Sequence, residues 1–368
     1  MTLKALKTIA LGAVLAGICA APMAFAKTQK IGELKDYRAK YEDTFIHLAR
    51  DHDLGFVEMR AANPGVDPWV PGRGTRLTIP TSHLLPNAKH EGVIINLPEM
   101  RVYYFDGKDS KPRTFPIGIG REGLETPRGE TTVVRKTEGP TWRPTPRMRK
   151  EDPELEAIVP PGPDNPLGTH ALYLGWPQYL IHGTNKPFGI GRKISSGCIR
   201  MYPEDIKEFF KLVPVGTKVT VIEQPVKLAW IDDTLYIEAH PTEEQSMIVE
   251  EMGGVPYEEV PKAEIGRLVD IIGQDYGDIN WNALRKVYGV RLGYPVPVGE
   301  REPAEENEEN KSGEKKVTLS KKEIKDMITA KLDGIYKAET GFAEESGEER
   351  SSFASRPVPS NAPRALNQ

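Results

Sequence analysis

Cys198 and His182 are the two residues of this chain whose types and spacing suit covalent chemistry. Cys198 sits in Ser195 Ser196 Gly197 Cys198 Ile199 Arg200 Met201, and His182 sits upstream in Ile181 His182 Gly183 Thr184 Asn185. The 15 residues between them are enough for a strand, a loop and a return, so the side chains can converge. A thiol attacks as its thiolate, and at an ordinary pKa of about 8.5 little of it is ionised at neutral pH. A histidine within hydrogen-bond reach takes that proton and later returns it to a leaving amine. Gly183, Gly189, Gly191 and Gly197 let the backbone approach a substrate and aim amides at a developing oxyanion. A Cys/His acyl-transfer site is one reading, and a buried structural cysteine or a metal site are the others. Zinc wants more ligands than one Cys and one nearby His. His47, His52, His83, His90, His170 and His240 show no ligand spacing, so no metal and no cofactor are expected.

The compartment sharpens this choice. Lys4 and Lys7 precede an apolar run from Ile9 to Ala20, and Ala24 Phe25 Ala26 offers a small-x-small cleavage site, the order of a secretory signal over residues 1–26. Ile18 stands before Cys19 where a lipoprotein signal needs a small residue, so lipidation is not expected. The mature chain would then begin at Lys27 in an oxidising compartment, the periplasm, with Cys198 as an unpaired thiol. No later apolar run approaches the roughly 20 residues that span a bilayer. Losing Lys4 and Lys7 takes the formal charge from -4 to -6. That balance, with no basic stripe carrying interleaved aromatics, argues against a nucleic-acid partner.

The elements that would position the pair are mostly strands. Val93 to Leu97, Arg101 to Phe105, Thr114 to Gly118, Thr131 to Lys136, Ala171 to Leu174, Leu180 to His182 and Val219 to Ile222 each fit a strand bounded by Gly, Pro or Asn. Such punctuation suggests a β-sandwich or barrel. One helix follows the cysteine: Pro203 opens it, Glu204 and Asp205 fill its first turn, and Ile206, Phe209, Phe210 and Val213 share a face before Pro214. The loop Gly118 Ile119 Gly120 Arg121 Glu122 Gly123 spells a dinucleotide fingerprint, but Pro127 and Gly129 follow where a helix must open, so a hairpin loop bordering the site is the better reading. The proline-rich basic stretch from Gly139 to Pro166, with Trp142, Arg143, Arg147, Arg149 and Lys150, reads as a lid over the cleft or as a solvated loop.

Ahead of this region, Asp43 and Thr44 can cap a helix carrying Phe45, Leu48 and Ala49, and Val57, Met59 and Ala62 suggest a second. Asn63 Pro64 Gly65 turns the chain, and Thr75 to Ile79 reads as a strand. Glu42 Asp43 Thr44, Ala61 Ala62 Asn63 Pro64 and Gly74 to Pro80 resemble a LysM module over residues 37–81, a family that binds N-acetylglucosamine-containing glycans. A helical docking domain without glycan affinity is the alternative.

The run from Ile181 to Asn185, then Phe188 Gly189 Ile190 Gly191 and Ser195 to Met201, resembles the signature of the YkuD-type L,D-transpeptidases. The likeness extends through Asn96 Leu97 Pro98, Thr126 Pro127 Arg128 Gly129, Gly162 to Gly168 and Val213 to Thr217. It implies a mainly β catalytic domain over 90–223 with the YkuD-type β-sandwich, beside the small α+β LysM-like module and a helical C-terminal extension. It implies attack by Cys198 on a peptidoglycan tetrapeptide stem, loss of D-alanine, and transfer of the acyl group to a neighbouring stem or to an outer-membrane lipoprotein. His182 matches the general acid/base, the Gly183 carbonyl the group orienting its ring, Gly197 and Cys198 the oxyanion-hole amides, and Arg200 a supporting arginine. Ser195, Ser196, Thr184 and Asn185 are expected to line the substrate. Carbapenem-type β-lactams are expected to acylate Cys198. Many members carry histidine where this chain has Ser196, and the hydroxyls of Ser195 and Ser196 suit loop backbone groups as well as a substrate. A hydrolase of stem peptides or lipoprotein links, and a non-catalytic wall-binding protein, are the competing functions.

Beyond Glu223 a compact appendage is expected over 224–299: a hairpin from Pro225 to Ile237 turning at Asp232 Asp233, then helices at Ala263 to Ile272 and Trp281 to Val287. Residues 300–368 read as a charged linker, an amphipathic helix from Leu319 to Ala338 that either meets a partner or packs back, and a disordered tail from Phe342.

Overall fold

The computed structural model describes residues 30–107, 111–273, 279–301 and 319–346, the last helix by its backbone alone beyond residue 334. The expected signal over 1–26, the charged stretch 302–318 and the chain beyond 346 lie outside the described residues.

Period-2 apolar patterning assembles residues 92 to 222 around one mixed sheet of eight strands. In order across the sheet they are Ile199–Arg200, Leu180–His182, His170–Leu174, Gly129–Glu138, Lys218–Ile222, Gly92–Asn96, Arg101–Phe105 and Arg113–Pro116. The strand Gly129–Glu138 serves both halves. Its first residues pair with Lys218–Ile222, its last with His170–Leu174, and the register shifts between Tyr173 and Leu174. A strand that changes partners at a bulge lets a sheet turn a corner and face itself. Accordingly Val93, Ile95, Val102, Val219 and Val221 from one half meet Leu172, Ile181 and Ile199 from the other in a single buried core.

The helix Pro203–Leu212 closes that core with Ile206 and Phe209, the latter edge-on to Phe115. Proline at its first position and acids in its first turn suit the unpaired amides there. Because it starts just after Ile199–Arg200, it ties the Cys198 loop to a packed element. The proline-rich stretch before His170 is ordered: it holds a short helix, Pro146–Glu151, capped by Thr145. Asn165 pins the stretch by donating to the carbonyls of Pro140, Val159 and Pro160.

The N-terminal unit pairs Lys35–Arg38 with Arg76–Ile79 around the helices Phe45–Asp51 and Phe56–Ala61. Thr44 caps the first helix through its hydroxyl. The unit docks against the eight-stranded region at a backbone-to-backbone contact. Phe56 N–H donates to Ile190 O at 3.3 Å and Val57 N–H to Gly191 O at 3.2 Å. A β-carbon on Gly55 would come within 2.6 Å of Gly191 Cα, so glycine is required there.

In the appendage, the hairpin Val226–Ile231 and Thr234–Ala239 gains a third strand, Val296–Glu300, against helices Lys262–Ile272 and Trp281–Val290. The helix Glu243–Met252 was not anticipated, although Thr242 and Gln245 form a capping box that marks it. The last helix, Lys321–Ser346, buries Ile324, Ile328 and Leu332 beside Ile265 and Leu268, so it packs back on the protein. Its backbone runs on past Phe342 to Ser346. No helix among the described residues is long and apolar enough to cross a membrane.

Three units meet at a buried polar junction. Glu58 and His83 come from the N-terminal side, Glu99, Arg101 and Tyr103 from the sheet, and Lys227, Glu238 and His240 from the appendage. Lys227 Nζ lies 2.9 Å from Glu99 and 2.7 Å from Glu238, and Arg101 lies 2.7 Å from Glu58.

Candidate active site

Parallel pairing sets Ile181 beside Ile199 and His182 beside Arg200. Side chains alternate along a strand, so with Ile181 and Ile199 in the core, His182 and Arg200 take the other face, and Cys198, one residue before Ile199, joins them. The sequence-distant pair is thus brought to one face by two adjacent strands.

His182 is 4% exposed, and its Nδ1 lies 2.6 Å from Gly183 O. A carbonyl can only accept, so Nδ1 carries the proton and Nε2 keeps its lone pair. Burial, and then the Arg200 charge, lower its pKa to about 3, with the Gly183 and Leu167 backbone opposing. The Cys198 thiol donates to Gln178 O at 3.4 Å. Burial pushes that thiol above its ordinary value, while the backbone of Leu180 and the charge of Arg200 pull the other way. The resting pair is therefore a neutral imidazole and a neutral thiol. Arg200 is itself largely buried, and its Nε has no hydrogen-bond partner.

The Cys198 loop is held from inside. Ser195, 1% exposed, donates its hydroxyl to Cys198 O at 2.6 Å and accepts from Gly197 N at 3.1 Å. Thr126 donates to Gly197 O at 3.0 Å. Gly197 has φ +103°, and a β-carbon there would come within 2.8 Å of the Tyr179 ring, so the position demands glycine. The loop with the dinucleotide lettering opens no helix. Ile119–Gly120 instead pairs parallel with Lys193–Ser195 and props the Cys198 loop.

Four residues expected to line a substrate divide in two. Asn185, whose Nδ2 donates to Asp164 O, is exposed, and Ser196 is half-buried. Thr184 and Ser195 are turned inward: the Thr184 hydroxyl accepts from Lys186 N at 2.9 Å, and Ser195 spends its hydroxyl on the loop. Both hydroxyls thus bond backbone groups of their own loops, whereas Asn185 and Ser196 keep exposed surface. The Gly197 amide expected in an oxyanion hole is likewise shared with Ser195 Oγ. The motif reading missed the turn from Trp176 to Tyr179, for which Pro177 was the available signal.

Among the described residues, one set of side chains has metal-like spacing, His83, Glu99 and Glu238, and it lies at the domain junction. The Lys227 ammonium already stands against both carboxylates, supplying the positive charge a metal would bring.

Residues 90–221 match the family model of the YkuD L,D-transpeptidase catalytic domain. Over 211 residues the chain is 46% identical to the probable L,D-transpeptidase ErfK/SrfK of Escherichia coli K12, covering 56% of this chain and 67% of that one. It is 48% identical over 200 residues to the probable L,D-transpeptidase YbiS of the same strain, covering 53% and 65%. For the probable L,D-transpeptidase YcfS of that strain the figures are 43% over 217 residues, 56% and 68%. The chain thus spans about two thirds of the length of these relatives. With a thiol and an oriented imidazole on one strand face inside the matched segment, the chain belongs to the YkuD family of L,D-transpeptidases.

Proposed function

We propose that this protein is an exported L,D-transpeptidase of peptidoglycan stem peptides, with Cys198 as nucleophile and His182 as general acid/base. The observation that carries this reading is the 2.6 Å bond from His182 Nδ1 to Gly183 O, which leaves Nε2 as the base on the face it shares with Cys198. Cys198 Sγ attacks the carbonyl after the L-centre of the diamino acid in a tetrapeptide stem as its proton passes to Nε2. The tetrahedral intermediate collapses to a thioester, and Nε2 returns the proton to the departing D-alanine amine. An acceptor amine, from a neighbouring stem or from the terminal lysine of an outer-membrane lipoprotein, then resolves the thioester. Arg200 favours the thiolate and disfavours an imidazolium beside it, so the ion pair forms only as attack proceeds.

The N-terminal unit supplies a LysM-like surface fixed against the catalytic region, suited to holding the glycan whose stems are processed. Export to the periplasm rests on Lys4, Lys7, the apolar run and Ala24 Phe25 Ala26.

The test is incubation with disaccharide-tetrapeptide, read by mass spectrometry of the muropeptides beside Cys198→Ala. Loss of D-alanine with a new cross-linked dimer, absent from the variant, is the expected outcome. Loss with only tripeptide formed would replace transfer by hydrolysis. No thioester and no turnover would overturn the enzyme reading.

A further inference from the structure

Gln178 occupies a place that glycine would fill at less cost. Trp176 O accepts from Tyr179 N–H at 3.3 Å, closing a turn with Pro177 and Gln178 at its centre. Gln178 has φ +71°, the third-position conformation of a type II turn, where a β-carbon crowds the backbone. Its side chain is exposed, so no packing of that side chain compensates the strain. Strain of this kind that persists beside a reactive group points to a task.

The conformation aims the Gln178 carbonyl at Cys198 Sγ, 3.4 Å away. The next two residues touch the same loop. The Tyr179 ring fills the space where Gly197 would carry a β-carbon, and the Leu180 backbone acts to lower the thiol's pKa, against the burial that raises it. We propose that Gln178 is a positioning residue: its main-chain carbonyl holds the Cys198 S–H in the resting enzyme and keeps the thiol protonated until a substrate draws the sulfur away. The inference rests on Cys198 being the nucleophile proposed above.

The physical reason is one of polarity. A carbonyl oxygen stabilises S–H as an acceptor and turns its lone pairs on a thiolate, so it opposes ionisation. The charged side chain acting on the sulfur is Arg200, from the strand that follows it, and His182 faces it from the adjacent strand in neutral form. Since the thiolate is the form that oxidants and alkylating agents attack, an exported enzyme with a protonated resting thiol is protected between turnovers.

The test uses the full chain with Cys19→Ala, so that Cys198 is the remaining thiol, and compares Gln178→Gly with Gln178→Val. Glycine keeps the positive φ and hence the carbonyl, whereas a β-branched residue disfavours it. The pH profile of iodoacetamide alkylation, read by intact mass, is measured beside D-alanine release from disaccharide-tetrapeptide. Gln178→Gly should keep the parent profile. Gln178→Val should shift alkylation to lower pH, raising its rate at pH 7 by about threefold, the scale of losing one weak hydrogen bond, while D-alanine release falls. A structural defect that merely admits the reagent raises the rate by the same factor at every pH, whereas loss of the bond moves the midpoint of the profile. An unshifted valine profile, or a glycine variant that shifts as valine does, would overturn the proposal. If Gln178→Val does not fold, Pro177→Gly with Gln178→Gly loosens the turn without adding strain and carries the same expectation. If the alkylation profiles behave as expected while even the parent releases no D-alanine, the positioning role stands and the transpeptidase reading fails.

Discussion

Two buried polar regions of this protein treat charge in opposite ways. At the junction of the three units every carboxylate has a cation beside it. Burial by itself would raise the pKa of Glu99, yet Lys227 and His240 next to it bring it down to about 2. Glu238 receives Lys227 at 2.7 Å and His240 at 2.6 Å. On the catalytic face there is no such partner for His182, and burial with the Arg200 charge leaves it neutral. At Glu99 pairing outweighs burial, whereas at Glu58 burial outweighs the Arg101 charge beside it and raises the carboxyl. Fixed charges lock the units together, and an unpaired imidazole and thiol leave a proton free to move when a substrate arrives.

Removing the imidazole breaks the catalytic side of this contrast most directly. His182→Gln should lower D-alanine release by about 10²- to 10⁴-fold, the span of general acid/base contributions, with the thermal transition nearly unchanged. The parent enzyme offers a second check. Because His182 is held near 3 and the thiol above its ordinary value, kcat/KM should stay flat as pH falls through 6.5. A limb at 6.5 that disappears in His182→Gln would mean that the free imidazole titrates as it does in water, and the neutral resting pair would be wrong.

On the junction side, Lys227→Met leaves Glu99 and Glu238 buried without their shared cation. The expected loss is about 3–5 kcal/mol in urea unfolding, the cost of breaking a buried pair from one side. Alkylation of Cys198 in the folded fraction should keep its parent pH profile, since the junction and the catalytic face hold separate charges. A change in that profile would join the two regions and end the contrast.

How far each region was legible in the sequence follows from the range of its contacts. Cys198 and His182 lie in short motifs, and the strands around them show through period-2 patterning, so their convergence was legible, while the Gly183 carbonyl came only from the resemblance. The helix Pro203–Leu212 was legible for the same reason: its proline, its acids and its apolar face are local. The inward turn of Thr184 and Ser195 was not, because a hydroxyl in a motif looks the same whether it faces a substrate or the loop behind it. Nor was the role of Gln178, since a glutamine gives no sign of positive φ. The junction was hidden altogether. Its members run from Glu58 to His240, and nothing short of the assembled sheet brings them together.

Asp205 sharpens the contrast with the smallest expected effect, because it is a carboxylate that follows the rule of the catalytic face. It is buried in the first turn of Pro203–Leu212, and its Oδ2 has no hydrogen-bond partner. Burial first, and then Asp53 and Glu204 nearby, raise its pKa to about 7, with Arg101 opposing. Its pKa in the folded chain is thus above the unfolded value of 3.8, so the folded state holds the extra proton. The stability it contributes is present below about pH 4 and is lost as pH rises through about 7. Asp205→Asn removes the titration while keeping the shape. It should be more stable than the parent by about 1–3 kcal/mol at pH 8 and show no gain at pH 4, measured by urea unfolding across that range. A gain equal at both pH values would mean that the carboxylate never felt its surroundings. No gain at pH 8 would mean that it is ionised at little cost without a cation, and burial without pairing would then fail to explain why His182 is neutral.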